Sequence, residues 1–280
     1  MSFGPNPWQQ TSWDARAAGN FIGGGAGSGL LVFSAVSGAQ GSLRAVLIAL
    51  ALGLVALGLL CVLTELGRPW RSMNVIFNPR TSWMSREAAL APLLLGSGAL
   101  ALFGVAAAVP LAAFLALGFL YCQARIVQAA KGIPAWRELL TVPLLIVSGL
   151  TEGAGLFWLI APSWGQRTLA LWLAFGVLLV LRFVLGVLWF RRLARSLQPR
   201  PLQAVNRAGH ALNAGSLLPL VIVLGVLATP LTPGWSAALQ ALAGAVAVLG
   251  GAAFKFMLIT RAGFNQGFAL PHLPVRGVRR

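Results

Sequence analysis

The densest chemistry in the chain lies between Glu65 and Glu87, in ELGRPWRSMNVIFNPRTSWMSRE. This stretch holds two of the five acidic residues, four arginines (Arg68, Arg71, Arg80 and Arg86) and two tryptophans. Carboxylates can take up and release protons, and arginines can hold anions or polarise a carbonyl oxygen. Long apolar runs flank it, Ala45–Thr64 before and Ala88–Val109 after. Charge this dense between two membrane-length segments belongs at a bilayer surface, because arginine and glutamate are costly deeper in.

Polar residues inside apolar runs are the other candidates, since each is expensive in lipid and is therefore kept for a reason. Glu65 ends one run and Glu87 opens the next, where a carboxylate also suits the positive end of a helix dipole. Asn20 stands about one turn inside the first run and can donate to a carbonyl oxygen. Glu152, in SGLTEGAGLF, is placed near the start of a later run; Arg182 lies mid-run and Lys255 within the last. Isolated charges there would be very unfavourable, so Glu152 is expected to pair with Arg182 or Lys255. Such a group could be a buried structural ion pair or a proton relay. A lone His210 beside Asn206 and Asn213 reads as an interfacial residue rather than a ligand.

The elements that must position these groups are membrane helices. The chain is 58% hydrophobic and only 9% charged, with mean hydropathy +0.82, against roughly 25% charged residues in soluble domains. The apolar runs are continuous rather than alternating, which excludes a porin-like barrel. The expected fold is a single all-α polytopic bundle of eight spans. They are placed at Gly19–Gly38, Ala45–Thr64, Ala88–Val109, Pro110–Ala129, Leu139–Pro162, Leu169–Phe190, Gly209–Ala228 and Ala237–Ile259. Pro110 is the expected break between the third and fourth, and seven spans are the alternative.

The net charge of +16 would suggest nucleic acid in a soluble protein. Here it follows the positive-inside rule. Apart from the intramembrane Arg182 and Lys255, every basic residue but Arg44 and Arg167 falls on one side of an eight-span arrangement. Both termini are therefore expected on the cytoplasmic side, in the inner membrane of a prokaryote, with no nucleic-acid partner. The N-terminus lacks the basic start and small-residue cleavage site of a signal peptide and is expected to be retained. In the first span Gly19, Gly23 and Gly27 recur every fourth residue. Such a strip either packs a neighbouring helix closely or offers a flat wall to a planar ring.

The ligand inventory is thin. His210 and His272 are the only histidines, too few inside the spans for a haem with two axial imidazoles. Cys61 and Cys122 fall singly in apolar runs and read as small core residues, so no iron–sulfur cluster, haem or metal is expected in this chain.

Three pieces carry a resemblance: LGRPWRS followed by NPRTSWMSRE, the basic segment with SLQPRP, and the tail KFMLITRAGFNQGFALPHLPVRG. The opening TSWDARAAGNFIGGGAGSG adds to it. On these the chain resembles the membrane-anchor subunits of dimethyl sulfoxide reductase, within the NrfD-like, polysulfide-reductase-type integral membrane family. The resemblance implies an anchor with no prosthetic group of its own and two partners. One is a ferredoxin-like iron–sulfur subunit, and the other a molybdenum or tungsten bis-pyranopterin catalytic subunit. It further implies exchange of electrons and protons with menaquinone or ubiquinone. Carried across, the position before LGRP, often His in that family, is Glu65 here, and Glu87 of SWMSRE matches an acidic position near the same pocket. Asn20, Glu65, Arg68, Trp83, Arg86 and Glu87 are then the expected quinone pocket, with Glu152, Arg182 and Lys255 as relay candidates. Ion pairing and interfacial anchoring remain the alternative roles of the arginines and Trp83. With the pocket on the cytoplasmic side, the complex resembles sulfite dehydrogenase-type or phenylacetyl-CoA:acceptor oxidoreductase-type systems that reduce quinone. A transporter and a passive anchor without a quinone site are the competing classes.

Overall fold

The computed structural model describes residues 6–65, 74–165 and 168–267. Among them the architecture is all helical, with a single isolated bridge between Gln9 and Phe264. The helices are α1 (Ala15–Val36), α2 (Gly41–Glu65), α3 (Trp83–Leu102), α4 (Ala108–Ala129), the one-turn α5 (Pro134–Arg137), α6 (Thr141–Ile160), α7 (Leu169–Ala194), α8 (Pro199–Ala228) and α9 (Pro233–Thr260). Seven of these, all but α3 and α5, are long and apolar enough to cross a membrane. α3 is 20 residues long, but every membrane-length window within it takes in Arg86 and Glu87, which lowers its hydropathy.

Two boundaries differ most from those read in the sequence. The break between α3 and α4 falls at Phe103–Ala107, not at Pro110, because Gly104 adopts a left-handed φ of 90° there. Pro110 instead sits in the first turn of α4, where its missing N–H has no helical acceptor to lose. α8 begins at Pro199 rather than near Gly209, so the basic segment is itself helical.

The long helices pack as two four-membered rings. α1–α4 close one, each against its neighbours, and α6–α9 close the other. α1 and α6 form the principal seam, to which α4 and α9 contribute. Small residues make the close approaches possible, as packing without a hydrophobic drive in lipid requires. A Cβ on Gly23 would stand 2.6 Å from the Leu54 carbonyl oxygen of α2, and Gly153 of α6 lies directly on the Gly29–Leu30 backbone of α1. The glycine strip Gly19–Gly23–Gly27 therefore faces α2 throughout and presents no open wall to a ring. Outward-facing positions are large and apolar, including Leu57, Phe114, Val177, Val221 and Leu249.

One end of the bundle is pinned by the N-terminal segment. Gln10 N–H donates to the Gly263 carbonyl, Asn265 N–H to the Trp8 carbonyl, and Trp8 N–H to Asn265 Oδ1. Trp13 stacks on Trp136 of α5 with ring centroids 4.8 Å apart, and the Trp136 indole donates to the Leu258 carbonyl of α9. The start of α1 and the end of α9 are thereby fastened side by side.

Candidate functional site

Each ring carries its own polar cluster, buried except for the half-exposed Glu65. In the first, α1 supplies Asn20, α2 Glu65, α3 Glu87 and α4 Gln123. Asp14 caps α1 by accepting from Arg16 N–H at 2.7 Å, and the Arg16 guanidinium reaches the Thr64 carbonyl at 2.9 Å, tying the start of α1 to the end of α2 beside Glu65. The hydrogen bonds from Arg16 hold the Asp14 carboxyl below the usual carboxylate range. Ser82 caps α3 by accepting from Ser85 N–H, which sets the first turn so that Glu87 points inward.

Asn20, Glu65 and Glu87 line one cavity of about 260 Å3, with Trp13, Ala17, Phe21, Val62, Met84 and Ile126 as its apolar walls. Glu87 is 7% exposed and Asn20 4%. The Asn20 amide donates to Glu87 Oε1 across a long 3.5 Å, and Gln123 Nε2 donates to the Asn20 backbone carbonyl at 3.1 Å. Asn20 Oδ1 and Gln123 Oε1 are buried without a partner. The cavity is slightly smaller than the ~300 Å3 at which drug-sized sites begin. That size suits a single ring with its substituents running outside. Chemically the site offers an amide donor, two carboxylates and aromatic walls.

The remaining residues of the expected pocket lie elsewhere. Trp83 and Arg86 stand outside the cavity: the Arg86 guanidinium lies 3.9 Å over the Trp83 ring and Arg125 4.7 Å over it, with Tyr121 edge-on. Arg86 also donates to the Pro79 and Arg80 carbonyls, so it closes the loop that precedes α3. Arg68 lies outside the described residues.

In the second ring, α6 supplies Glu152, α7 Arg182, α8 Ser216 and α9 Lys255. Lys255 Nζ meets Glu152 Oε2 at 2.8 Å, and Ser148 Oγ donates to Glu152 Oε1 at 3.0 Å. Gly25 and Gly251 leave the space that these two charged heads occupy. Lys255, not Arg182, is thus the direct partner of Glu152. Glu152 itself sits in the middle of α6 rather than near its start. Arg182, fully buried, donates to Ser216 Oγ and the Ala247 carbonyl, each at 3.0 Å, and to the Gly215 carbonyl.

The two clusters approach each other. A gap of about 10 Å3 lies between Gln123 and Lys255, closed by Phe21, Leu120, Ala124 and Leu145. That is about the space one water takes up. Gln123 was not singled out from the sequence, although a lone amide in FLYCQARIV carries the same signal as Asn20. Compared with known proteins, the chain matches no family model and no curated protein.

Proposed function

We propose that the chain is the membrane anchor of a multi-subunit oxidoreductase and binds quinone where the first ring opens, between the start of α1, the end of α2 and the start of α3. The observation that carries this reading is the convergence of Asn20, Glu65 and Glu87 from three helices on one ring-sized, aromatic-walled cavity. Quinone reduction needs two electrons and two protons. The Asn20 amide is suited to hold a carbonyl oxygen, and the Glu87 and Glu65 carboxyl groups, in their protonated form, to deliver protons to the reduced oxygens and be reprotonated from the aqueous side. The electrons would come from a ferredoxin-like iron–sulfur subunit fed by a molybdenum or tungsten bis-pyranopterin subunit. This chain would hold neither centre.

In this reading α3 is an eighth span. The pairing of the N-terminal segment with the end of α9 favours an even number of crossings, since both then lie at one face. The basic-residue distribution supports a cytoplasmic placement of that face, in a prokaryotic inner membrane. The direction of electron flow that fits a cytoplasm-facing complex is towards quinone.

Trp13 lines the cavity, so binding can be read from tryptophan emission. Titrating the purified chain with a short-chain ubiquinone or menaquinone analogue is expected to give saturable quenching, weakened at least tenfold in Asn20→Leu and Glu87→Gln. Titrations identical in wild type and both variants would overturn the site. Gentle solubilisation from native membranes is expected to bring down molybdenum or tungsten together with iron; a single chain free of all three would overturn the partners. A transporter is the second reading, since the glycine-rich helices and the buried charges Glu152, Arg182 and Lys255 also suit a carrier. Solute uptake by vesicles containing the purified chain alone would select it.

A further inference from the structure

A second polar cavity, of about 530 Å3, lies between the start of α8, the end of α9 and the N-terminal segment. Arg200, Gln203 and Arg207 line it from successive turns of one face of α8. Arg261 enters from the end of α9, and Phe256, Met257 and Phe264 form its apolar side. Gln9 closes it, held by its amide on the Thr260 carbonyl at 2.6 Å, and its bridge to Phe264 fixes the segment that follows Arg261.

Three guanidinium groups around one cavity need an anion. The chain's own acidic side chains are committed elsewhere: Asp14 to Arg16, Glu138 to Arg192, Glu152 to Lys255, and Glu65 and Glu87 to the cavity of the first ring. Among the described residues Arg200, Arg207 and Arg261 make no ion pair or hydrogen bond through their side chains. Positive-inside bias accounts for arginines near helix ends in general. It does not account for three, from two helices, converging on a cavity with an apolar wall.

We infer that this cavity is a binding site for the phosphate headgroup of an anionic phospholipid. Guanidinium groups match phosphate oxygens in pairs of hydrogen bonds, and the positive end of the α8 dipole adds to the attraction. Phe256 and Met257 continue down α9 into the span, so an acyl chain leaving the headgroup would run along them. Basic pockets between helices at a membrane face are the usual seat of such headgroups. The site is independent of the quinone reading, since it shares no residue with the first-ring cavity.

The test is a titration of the detergent-purified full chain with dioleoylphosphatidylglycerol, dioleoylphosphatidylcholine and inorganic phosphate, read as bound adducts by native mass spectrometry. Phosphatidylglycerol is expected to bind at least tenfold more tightly than phosphatidylcholine, with millimolar phosphate displacing little of it. In R200Q/R207Q/R261Q that preference should vanish, and in the milder R207Q it should fall severalfold. R44Q, far from the cavity, should keep it. Equal binding of the two lipids, or an unchanged preference in both cavity variants, would overturn the site. Displacement by free phosphate at matching concentration would overturn the lipid assignment in favour of a soluble anion. Loss of a co-purifying soluble subunit from the triple variant, with lipid binding intact, would make the face a dock for an acidic protein and likewise overturn it.

Discussion

Removing the amine of Lys255 should be among the most damaging single changes in the molecule, and removing both charges of its pair should be far milder. The Lys255 and Glu152 side chains are 2% and 1% exposed, with Nζ and Oε2 2.8 Å apart. In Lys255→Met the Glu152 carboxylate is left with only the Ser148 hydroxyl as a direct partner. Stranding one member of a buried pair costs about 3–5 kcal/mol, whereas replacing both by neutral groups of similar volume is often close to neutral. At roughly 2–4 °C per kcal/mol for a domain of 150–250 residues, the single variant should melt on the order of 10 °C below wild type. The double variant Glu152→Gln/Lys255→Met keeps the shape of both side chains and an amide for Ser148. It should recover about 2 kcal/mol of the loss, appearing as coupling in a double-mutant cycle. The assay is thermal unfolding of each variant in one detergent, followed by circular dichroism. A Lys255→Met protein that melts like wild type, or a double variant less stable than Lys255→Met alone, would refute the pairing as an energetic unit.

Two further outcomes follow from the packing and the loop. Gly153→Ala places a methyl group on the Gly29–Leu30 backbone and should cost about 1–3 kcal/mol by forcing α1 and α6 apart; Gly96→Ala, in open space on α3, is the control, and equal melting of the two would contradict the seam. Trp83→Ala removes the ring on which Arg86 and Arg125 lie and should release the loop before α3, speeding tryptic cleavage after Arg80, while Trp83→Phe keeps part of the protection. Unchanged cleavage in Trp83→Ala would mean that the Arg86 bonds to Pro79 and Arg80 hold the loop alone.

The helices are legible in the sequence because apolar runs of membrane length have few alternatives, and the intramembrane charges stand out because lipid makes them costly. With five acidic residues in the chain, a partner for a buried cation can be narrowed almost by arithmetic. Choosing between Arg182 and Lys255 for Glu152 is another matter. It depends on which helices are neighbours and how each is rotated, and hydrophobic periodicity is weak when one side of a helix faces lipid and the other a small-residue seam. The same limit separates Glu87 from Arg86. They are adjacent in SWMSRE, yet the α3 first turn sends one into the cavity and the other out over Trp83. Pro110 misleads for a local reason, since a proline marks a helix break or a first turn with equal ease. The bend is made by Gly104 instead.

The two polar clusters make one arrangement of the chemistry more economical than others. In lipid, polar groups are costly unless they meet partners, and each ring gathers its own from four different helices. The first cluster opens at a helix end, and Asn20, which lines the cavity there, keeps an unpartnered side-chain oxygen. The second has its charges paired and its guanidinium bonded, so it is closed. Between them lies only the gap bounded by Gln123 and Lys255. Under the proposed quinone reading, protons consumed at Glu87 would be supplied through Glu65, which lines the same cavity, without involving the second ring. The Glu152–Lys255 pair then needs no catalytic role to explain its presence, because its geometry already accounts for it as the fastening of α6 to α9. The structure therefore separates the two sets of candidates in space: Asn20, Glu65 and Glu87 at the open end of the first ring, and Glu152, Lys255 and Arg182 in the middle of the second.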